Sequence, residues 1–469
     1  MKLKKNMVRI LLLLIVMVIA VGKVAGQSRP NVIMIMADDL GWGDVGFNGN
    51  PVIKTPELDR MAANGIQFTR FYAASPVCSP SRGSCLTGRN AERYGIYFAN
   101  IGHVDTREVT LPEVLKSQGY STGHFGKWHL GTLSQTVADG HRGGREKYLS
   151  EYSPPWENGF DVCFSTEQAV PTWDPMKDQT IPTRYWEGPG KFATNNLEGD
   201  DSRVIMDRAI PFIEKSVRAQ KPFLSVIWFH APHTPVVAGP AYLDMYKGFD
   251  ENKQHYYGCI TAMDEQIGRL RNRLRTLGVE ENTLIFFVSD NGPAGEGGGI
   301  LQHPGQRQQG SAGLFRGRKG SLYEGGLRVP ALMEWPAMFK AHRKVNTPLC
   351  TNDYFPAILS ILGFRQEEGL TPTDGLNLFD LIKEDGNGSR PQPIGFKSYK
   401  QRAYTDNQYK IVSLDDGLRY ELFDLLNDPG ESKDISEEHP DIVAKLKEGL
   451  DEWLRSCKES AAGEDYRNK

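Results

Sequence analysis

Three stretches of this chain read as apolar strands that stop abruptly in polar residues: "PNVIMIMADDLG", "PFLSVIWFHAPH" and "NTLIFFVSDNG". A short run that is apolar at every position has no face to give to water, so it belongs inside a sheet covered on both sides. "YSTGHFGKWH" has the same strand-then-polar form. Helical patterns lie between them. "TPELDRMAANG" carries Thr55 as N-cap, Pro56 at the first helical position and Gly65 as a stop. Longer helical patterns run over roughly Ser202–Ser216 and Lys253–Leu277. This alternation predicts an α/β fold, a large, mostly parallel sheet sandwiched by helices.

Polar side chains gather just past the strand ends: Asp38 and Asp39, Lys127 and His129, His230 and His233, Asp290 and Asn291. In open α/β sheets the site lies in the crevice beyond the carboxyl ends of the strands. Acid, amide, amine and imidazole groups delivered there by separate strands predict an active site. Asp38, Asp39, Asp290 and Asn291 offer only oxygen, which favours a hard cation, Ca2+ or Mg2+. A lone aspartate pair would more often cap a turn; "SDNG" at a second strand end turns the balance towards metal. Arg82, Lys127 and Lys319 would supply positive charge for a tetrahedral oxyanion. His129 and His233 are the proton carriers at the strand ends, and His230 reads as structural.

The rest of the chain sets the context. A basic start (Lys2, Lys4, Lys5, Arg9), an apolar run from Ile10 to Val21 and the small residues of "VGKVAGQ" form a secretory signal peptide, residues 1–26, cleaved before Gln27. The run is short for a bilayer span, and no cysteine stands near the cleavage site. The mature chain is therefore expected to be soluble, periplasmic or secreted, with no stable membrane insertion and no lipid anchor. A net charge of −3 gives no footprint for nucleic acid. From about Leu133 to Asp200 the chain is rich in Gly, Pro, Trp and charge, and reads as a long excursion over the site; "EGGGILQHPGQRQQGSAGLFRGRKG" reads as a second loop. From about Gly395 short polar-apolar strands and a closing helix predict a smaller antiparallel sheet, residues 391–469, beside a main domain of residues 27–390.

Cysteines stand at 78, 85, 163, 259, 350 and 457, with neither zinc nor small-scaffold spacing. Cys78 opens "CSPSRGSCLTGR", which reads as a helix start, so an anion at residue 78 would face a helix N-terminus and Arg82. Half a disulfide, a thiolate, a nucleophile or a group made from cysteine would each account for it. A soft thiolate suits an oxygen-ligated cation badly, and an oxygen at this position would fit better.

Cys78-Ser-Pro80-Ser-Arg82 followed by "LTGR" resembles the signature of the type I sulfatases of the alkaline phosphatase superfamily. "NVIMIMADDLGWGDVG", "GHFGKWHLG", "HAPHTP", "VSDNGP", "RKGSLYEGGLRVPAL" and "YELFDLLNDPGE" resemble family segments in the family's order, over nearly the whole mature chain. Cys85 departs from the apolar residue of many members. The resemblance implies that a formylglycine-generating maturation enzyme oxidises Cys78 to formylglycine (3-oxoalanine), whose hydrate attacks sulfur. It implies that Asp38, Asp39, Asp290, Asn291 and modified residue 78 hold Ca2+, and that Arg82 positions residue 78. Lys127 and Lys319 would bind the sulfate oxygens, His129 would assist the hydrate, and His233 would protonate the leaving alcohol. His233 rather than His230 is matched to the family histidine.

The substrate implied is a sulfated carbohydrate, a polysaccharide or its oligosaccharides, algal ulvan or carrageenan among them. Trp156, Trp173 and Trp186 are candidates to stack on sugar rings, and Arg142, Arg145, Asp174 and Arg184 to contact hydroxyls or carboxylates; equally, these tryptophans would pack the loop down. Two rivals are a phosphate or phosphonate ester hydrolase of the same superfamily and an inactive sulfated-glycan-binding protein.

Overall fold

The computed structural model describes residues 29–177, 179, 181–294, 309–364, 371–382 and 388–467. The leader expected at residues 1–26, and residues 295–308 of the second loop, lie outside the described residues.

The strands are β1 (Asn31–Ala37), β2 (Ile66–Phe68), β3 (Phe71–Tyr72), β4 (Ser121–Lys127), β5 (Val162–Thr166), β6 (Trp186–Gly188), β7 (Lys191–Phe192), β8 (Phe223–Trp228), β9 (Thr283–Ser289), β10 (Ala331–Glu334), β11 (Arg343–Val345), β12 (Leu349–Cys350), β13 (Ile394–Ser398), β14 (Gln401–Thr405), β15 (Tyr409–Ser413) and β16 (Glu421–Asp424). A ten-stranded sheet has the order β11-β2-β10-β9-β1-β8-β4-β5-β6-β7. Its centre, β9-β1-β8-β4-β5, is parallel throughout, and β10 joins antiparallel to β9.

Every residue of β1 is buried, and its alternation sorts them between two cores. Val32, Met34 and Met36 pack on one side with Cys85, Leu86 and Ile358. Ile33, Ile35 and Ala37 pack on the other with Val204, Ile205, Ile260 and Met263. The helix Cys78–Thr87 thus covers one face, while Asp201–Arg218 and Glu251–Thr276 cover the other. The two expected long helices therefore form, two residues longer at the C-terminal end of one and starting two earlier in the other.

The stretch from Leu133 to Asp200 is more than an excursion. Its Val162–Thr166 portion is β5, a parallel strand paired with β4 from Gly123↔Val162 to Lys127↔Thr166. Five residues among glycines and prolines are too few to show a period, yet Cys163 to Thr166 are all buried.

The antiparallel sheet expected near the C-terminus forms in the order β13-β14-β15-β16. The helix Pro440–Ala461 packs Leu446 and Leu450 on Ile411 and Leu422 of that sheet. Residues Asn31–Lys469 make one compact unit. Among the described residues no helix is long and apolar enough to cross a membrane, and all six cysteines are unpaired and buried.

Candidate active site

Five neighbouring parallel strands end at the same edge, and the residues at the ends of four of them build one polar site. Asp38 and Asp39 follow β1, Asp290 and Asn291 follow β9, Lys127 ends β4, and His230 and His233 follow β8. The strand tips are laced together: Asp38 N–H donates to Ala231 O at 3.1 Å, Asp290 N–H to Ala37 O at 3.1 Å, and Leu40 N–H to Ser289 Oγ at 3.0 Å. Gly126 lets β4 deliver Lys127 against β8, because a Cβ there would stand 1.9 Å from Trp228 O.

Arg82, four residues into the helix that begins at Cys78, crosses beneath the site. Its Nε and Nη2 donate to Asp290 Oδ2 at 3.0 and 2.6 Å, and its Nη1 to Lys127 O at 3.1 Å. Lys127 Nζ donates to Asp38 Oδ2 at 2.6 Å. Lys319 Nζ lies 2.6 and 2.8 Å from the two oxygens of Asp39. Asn291 Nδ2 donates to Asp39 Oδ1 at 2.7 Å. One ligand atom from each of Asp38, Cys78 and Asp290 falls within 4.8 Å of the others, and so does one from each of Asp38, Asp39 and His233.

Two buried acceptors aim into this cluster with no hydrogen-bond partner among the described residues, Asp38 Oδ1 and Asn291 Oδ1. A buried acceptor left bare is costly, and a cation at this point would satisfy both. The donor set of three carboxylates and an amide is all oxygen, which fits Ca2+ or Mg2+.

The charges are strongly interdependent. Burial opposes ionisation of Asp38, but Lys127, His233, Arg82 and Lys319 outweigh it and hold its carboxyl well below the usual range. Burial, and then the neighbouring Asp38 carboxylate, push Asp290 up to about 7. Burial raises the Cys78 thiol, although Lys127 and Lys319 pull the other way. An unmodified cysteine here would thus be held as the thiol, a poor nucleophile and a poor ligand.

The histidines separate by role. His233 Nδ1 meets Thr234 O at 2.6 Å, which turns Nε2 to the site, 3.7 Å from Asp39 Oδ2. Burial first, and then Lys127 and Lys319, lower it to about 4. His230 is fully buried between Asp201 Oδ2 at 2.7 Å and Thr166 Oγ1 at 2.8 Å, away from the anionic cluster. His129 bonds Asn100 Oδ1 at 2.9 Å through Nε2, and burial with Lys127, Arg142 and Arg82 keeps its ring neutral. Asp39 and His129 both hold the left-handed backbone, with φ of 66° and 59°, a strained conformation for side-chain-bearing residues that clusters at functional sites.

The structure thus brings Asp38, Asp39, Cys78, Arg82, Lys127, His129, His233, Asp290, Asn291 and Lys319 to one site. It does not bring the loop tryptophans there as sugar platforms. Trp186 is in the core with its Nε1 on Asp139 Oδ2 at 3.0 Å. Trp156 packs on the core and bonds Tyr152, and the ring of Trp173 lies flush against Gly239. Arg145 binds Gly140 O, Arg184 binds Ala138 O, and Asp174 accepts the Gly199 N–H, so these three brace the loop itself. Arg142 is buried, donating to Gly102 O and Glu151. Asn100 was not legible: it stands in a loop, and nothing in "YFANIGH" marks it as the partner of His129.

An all-oxygen donor set, two lysines, an arginine and a histidine Nε2 thus converge at one edge of the sheet, an arrangement able to hold a cation beside an anionic ester. The sulfatase family model matches residues 30–364, and the model described as "N-sulphoglucosamine sulphohydrolase, C-terminal" matches residues 310–456. The chain is 33% identical over 420 residues to the N-acetylgalactosamine-6-sulfatase of Canis lupus familiaris, covering 85% of this chain and 74% of the relative. It is 28% identical to the ulvan-active sulfatase of Formosa agariphila, covering 94% and 84%. Among solved structures, Ps i-CgsB in complex with k-i-k-neocarrahexaose superposes with a TM-score of 0.78 at 26% identity, covering 94% of this chain and 97% of that one. The chain belongs to the sulfatase family and is a sulfuric ester hydrolase.

Proposed function

We propose that the protein is an exported, Ca2+-dependent sulfatase that removes sulfate from a sulfated carbohydrate, with residue 78 matured from cysteine to formylglycine. The observation that carries this is the pair of bare buried acceptors, Asp38 Oδ1 and Asn291 Oδ1, beside a thiol that its surroundings keep protonated. A cation and an oxygen at residue 78 would complete the cluster. The carbohydrate class rests on the sulfated-glycan relatives and on the neocarrahexaose-bound neighbour; an algal polysaccharide such as ulvan or carrageenan is the preferred source. Export rests on the leader at residues 1–26, and maturation requires a formylglycine-generating enzyme.

In this reading Asp38, Asp39, Asp290, Asn291 and residue 78 hold the cation. Hydrated formylglycine would supply one hydroxyl as the nucleophile that displaces the ester alcohol at sulfur, and a second whose loss of a proton re-forms the aldehyde as the carbon–oxygen bond to sulfate breaks, while the cation would supply Lewis acidity and charge neutralisation. Lys127 and Lys319, now seated on Asp38 and Asp39, swing their ammonium groups to the sulfate oxygens and orient the ester in line. Arg82 fixes Asp290 by two bonds and anchors the helix that carries residue 78. His129 Nδ1, buried and without a partner among the described residues, is placed to take a proton from the hydrate. His233, neutral in the free enzyme, would take up a proton on Nε2 as the bound ester draws Lys127 and Lys319 to itself, and would pass it to the leaving alcohol, its ring fixed by the Nδ1 bond to Thr234.

The test is the mass of the proteolytic peptide containing residue 78 from co-expression with a maturation enzyme, paired with turnover of 4-nitrophenyl sulfate and 4-nitrophenyl phosphate with and without chelator. A peptide lighter by the thiol-to-aldehyde change, with chelator-sensitive sulfate turnover, is expected. An alkylatable thiol in an active enzyme, or faster phosphate turnover, would overturn the assignment in favour of the phosphate-ester rival.

A further inference from the structure

Large aromatic side chains stand in water beside the site, on segments the mechanism above does not use. Tyr97 and Ile101 are 43% and 41% exposed, on the loop past the Cys78 helix. Tyr399 is 59% exposed at the tip of the β13–β14 hairpin. The Phe98 and Tyr399 rings meet at 4.5 Å with a 42° tilt, so the catalytic sheet's loop and the C-terminal sheet's hairpin together form one aromatic surface. Single exposed apolar residues are ordinary, but a contiguous aromatic patch beside a catalytic site marks a binding surface.

Hydrogen bonds join both halves of this patch to the site. Asn100, two residues from Phe98, holds His129 Nε2 at 2.9 Å. Gln401, two residues from Tyr399, donates to Gly320 O at 2.7 Å and accepts the Leu322 N–H at 3.0 Å, gripping the segment that carries Lys319. Two residues of chain reach at most about 7 Å, so Phe98 and Tyr399 are each carried within that backbone span of a residue bonded to His129 or to the Lys319 segment.

Tyrosine combines an apolar ring face with a hydroxyl edge, and a pyranose ring has the matching pair of an apolar C–H face and a hydroxyl rim. Lys397, with Nζ 5.9 Å from the Tyr97 ring, is paired with Glu92 at 3.0 Å, and Lys400, exposed next to Tyr399, brings positive charge to the patch. An aromatic surface with a lysine at its edge suits an anionic glycan. Four side chains fall far short of the roughly 800 Å² per partner of a standard protein interface.

We propose that Phe98 and Tyr399, flanked by Tyr97, form a stacking platform for the sugar ring next to the one whose sulfate ester occupies the site. This rests on the carbohydrate reading above. It also reassigns the stacking role from the loop tryptophans, which are used in packing, to tyrosines contributed by two separate sheets.

The test compares kcat/KM of the matured full chain and its Tyr399→Ala, Tyr97→Ala and Tyr399→Trp variants on 4-nitrophenyl sulfate and on ulvan, carrageenan and glycosaminoglycan oligosaccharides. Tyr399→Ala is expected to lose about tenfold more on the cleaved oligosaccharide than on the aryl sulfate, through KM, whereas Tyr399→Trp retains the oligosaccharide rate. Equal losses on both substrates, or no extra loss on the oligosaccharide, overturn the platform alone. A wild-type enzyme that turns over the aryl sulfate and none of the oligosaccharides overturns the carbohydrate reading and the platform with it. A dimer in sedimentation that Tyr399→Ala disperses assigns the patch to a second copy of the chain and overturns the proposal.

Discussion

His230 and His233 are three residues apart, and their surroundings give them different consequences on removal. His233 turns Nε2 towards Asp39 from a partly open position, so His233→Ala is expected to lower kcat on an aryl sulfate by about 10²- to 10⁴-fold with little change in Tm. His230 is sealed between Asp201 and Thr166. Its removal opens a cavity and leaves Asp201 Oδ2 without its partner, the Tyr185 hydroxyl holding only Oδ1, so His230→Ala is expected to lower Tm by several degrees. Thermal melts beside initial rates separate the two, and a reversed pattern would exchange their roles. Arg82→Met is the harsher change. It leaves Asp290 buried without its cation and is expected to cost about 3–5 kcal/mol of stability, measured by urea unfolding.

At the scale of elements, the sequence made the central strands plain because continuous apolar runs leave no other place for them. It made the acidic and amide residues of the candidate cation site plain because they follow those runs directly. β5 was hidden: it is five residues long and lies inside a segment otherwise braced by side-chain contacts such as Arg184 on Ala138 and Trp186 on Asp139. The tyrosine platform was hidden for a different reason. Tyr97 and Tyr399 are far apart in the chain, and only tertiary packing puts Phe98 on Tyr399. The grip of the small sheet on the Lys319 segment was equally invisible. Lys410 of β15, fully buried, donates to Glu324 at 2.9 Å and lies 3.0 Å from Glu431, and Glu324 N–H donates to Glu431 at 2.6 Å. Lys410→Met would leave the buried Glu324 and Glu431 carboxyls with Arg328, 3.3 Å from Glu324 Oε2, as their remaining ion-pair partner, at a cost of about 3–5 kcal/mol. Adding Glu431→Gln should recover part of that loss, because burial and Glu324 push Glu431 up to about 7 and an amide there removes the fraction that stays ionised opposite Glu324. A double variant no more stable than the single one, in urea midpoints, would show that the pair is not the source of the cost.

Across the whole molecule, burial lifts several carboxyls towards neutrality. Glu167, Asp200, Asp264 and Glu431 are all pushed up to about 7. Each binds a proton in the native state that an unfolded carboxyl, with a pKa near about 4, has released. Their stabilisation is therefore complete at low pH and is lost as pH rises through about 7. The buried rings of His124 and His129 are held neutral and act oppositely, adding stability as pH rises towards about 6.5 and no slope above it. Between about pH 6.5 and 8 the raised carboxyls govern the slope, so stability is expected to fall across that interval at constant Ca2+, read as the urea midpoint. Asp264 provides the internal control. It accepts the N–H groups of Glu57 and Leu58 at the start of the Pro56–Asn64 helix, and Glu57 and Asp59 face it with further negative charge. Asp264→Asn cannot titrate, so its slope should be shallower than wild type by up to about 1.4 kcal/mol per pH unit, even though its absolute stability drops with the lost acceptor. A wild-type midpoint that holds level or rises from pH 6.5 to 8 would mean that these carboxyls are ionised in the native state, their burial offset by solvent or counter-charge that the fold admits.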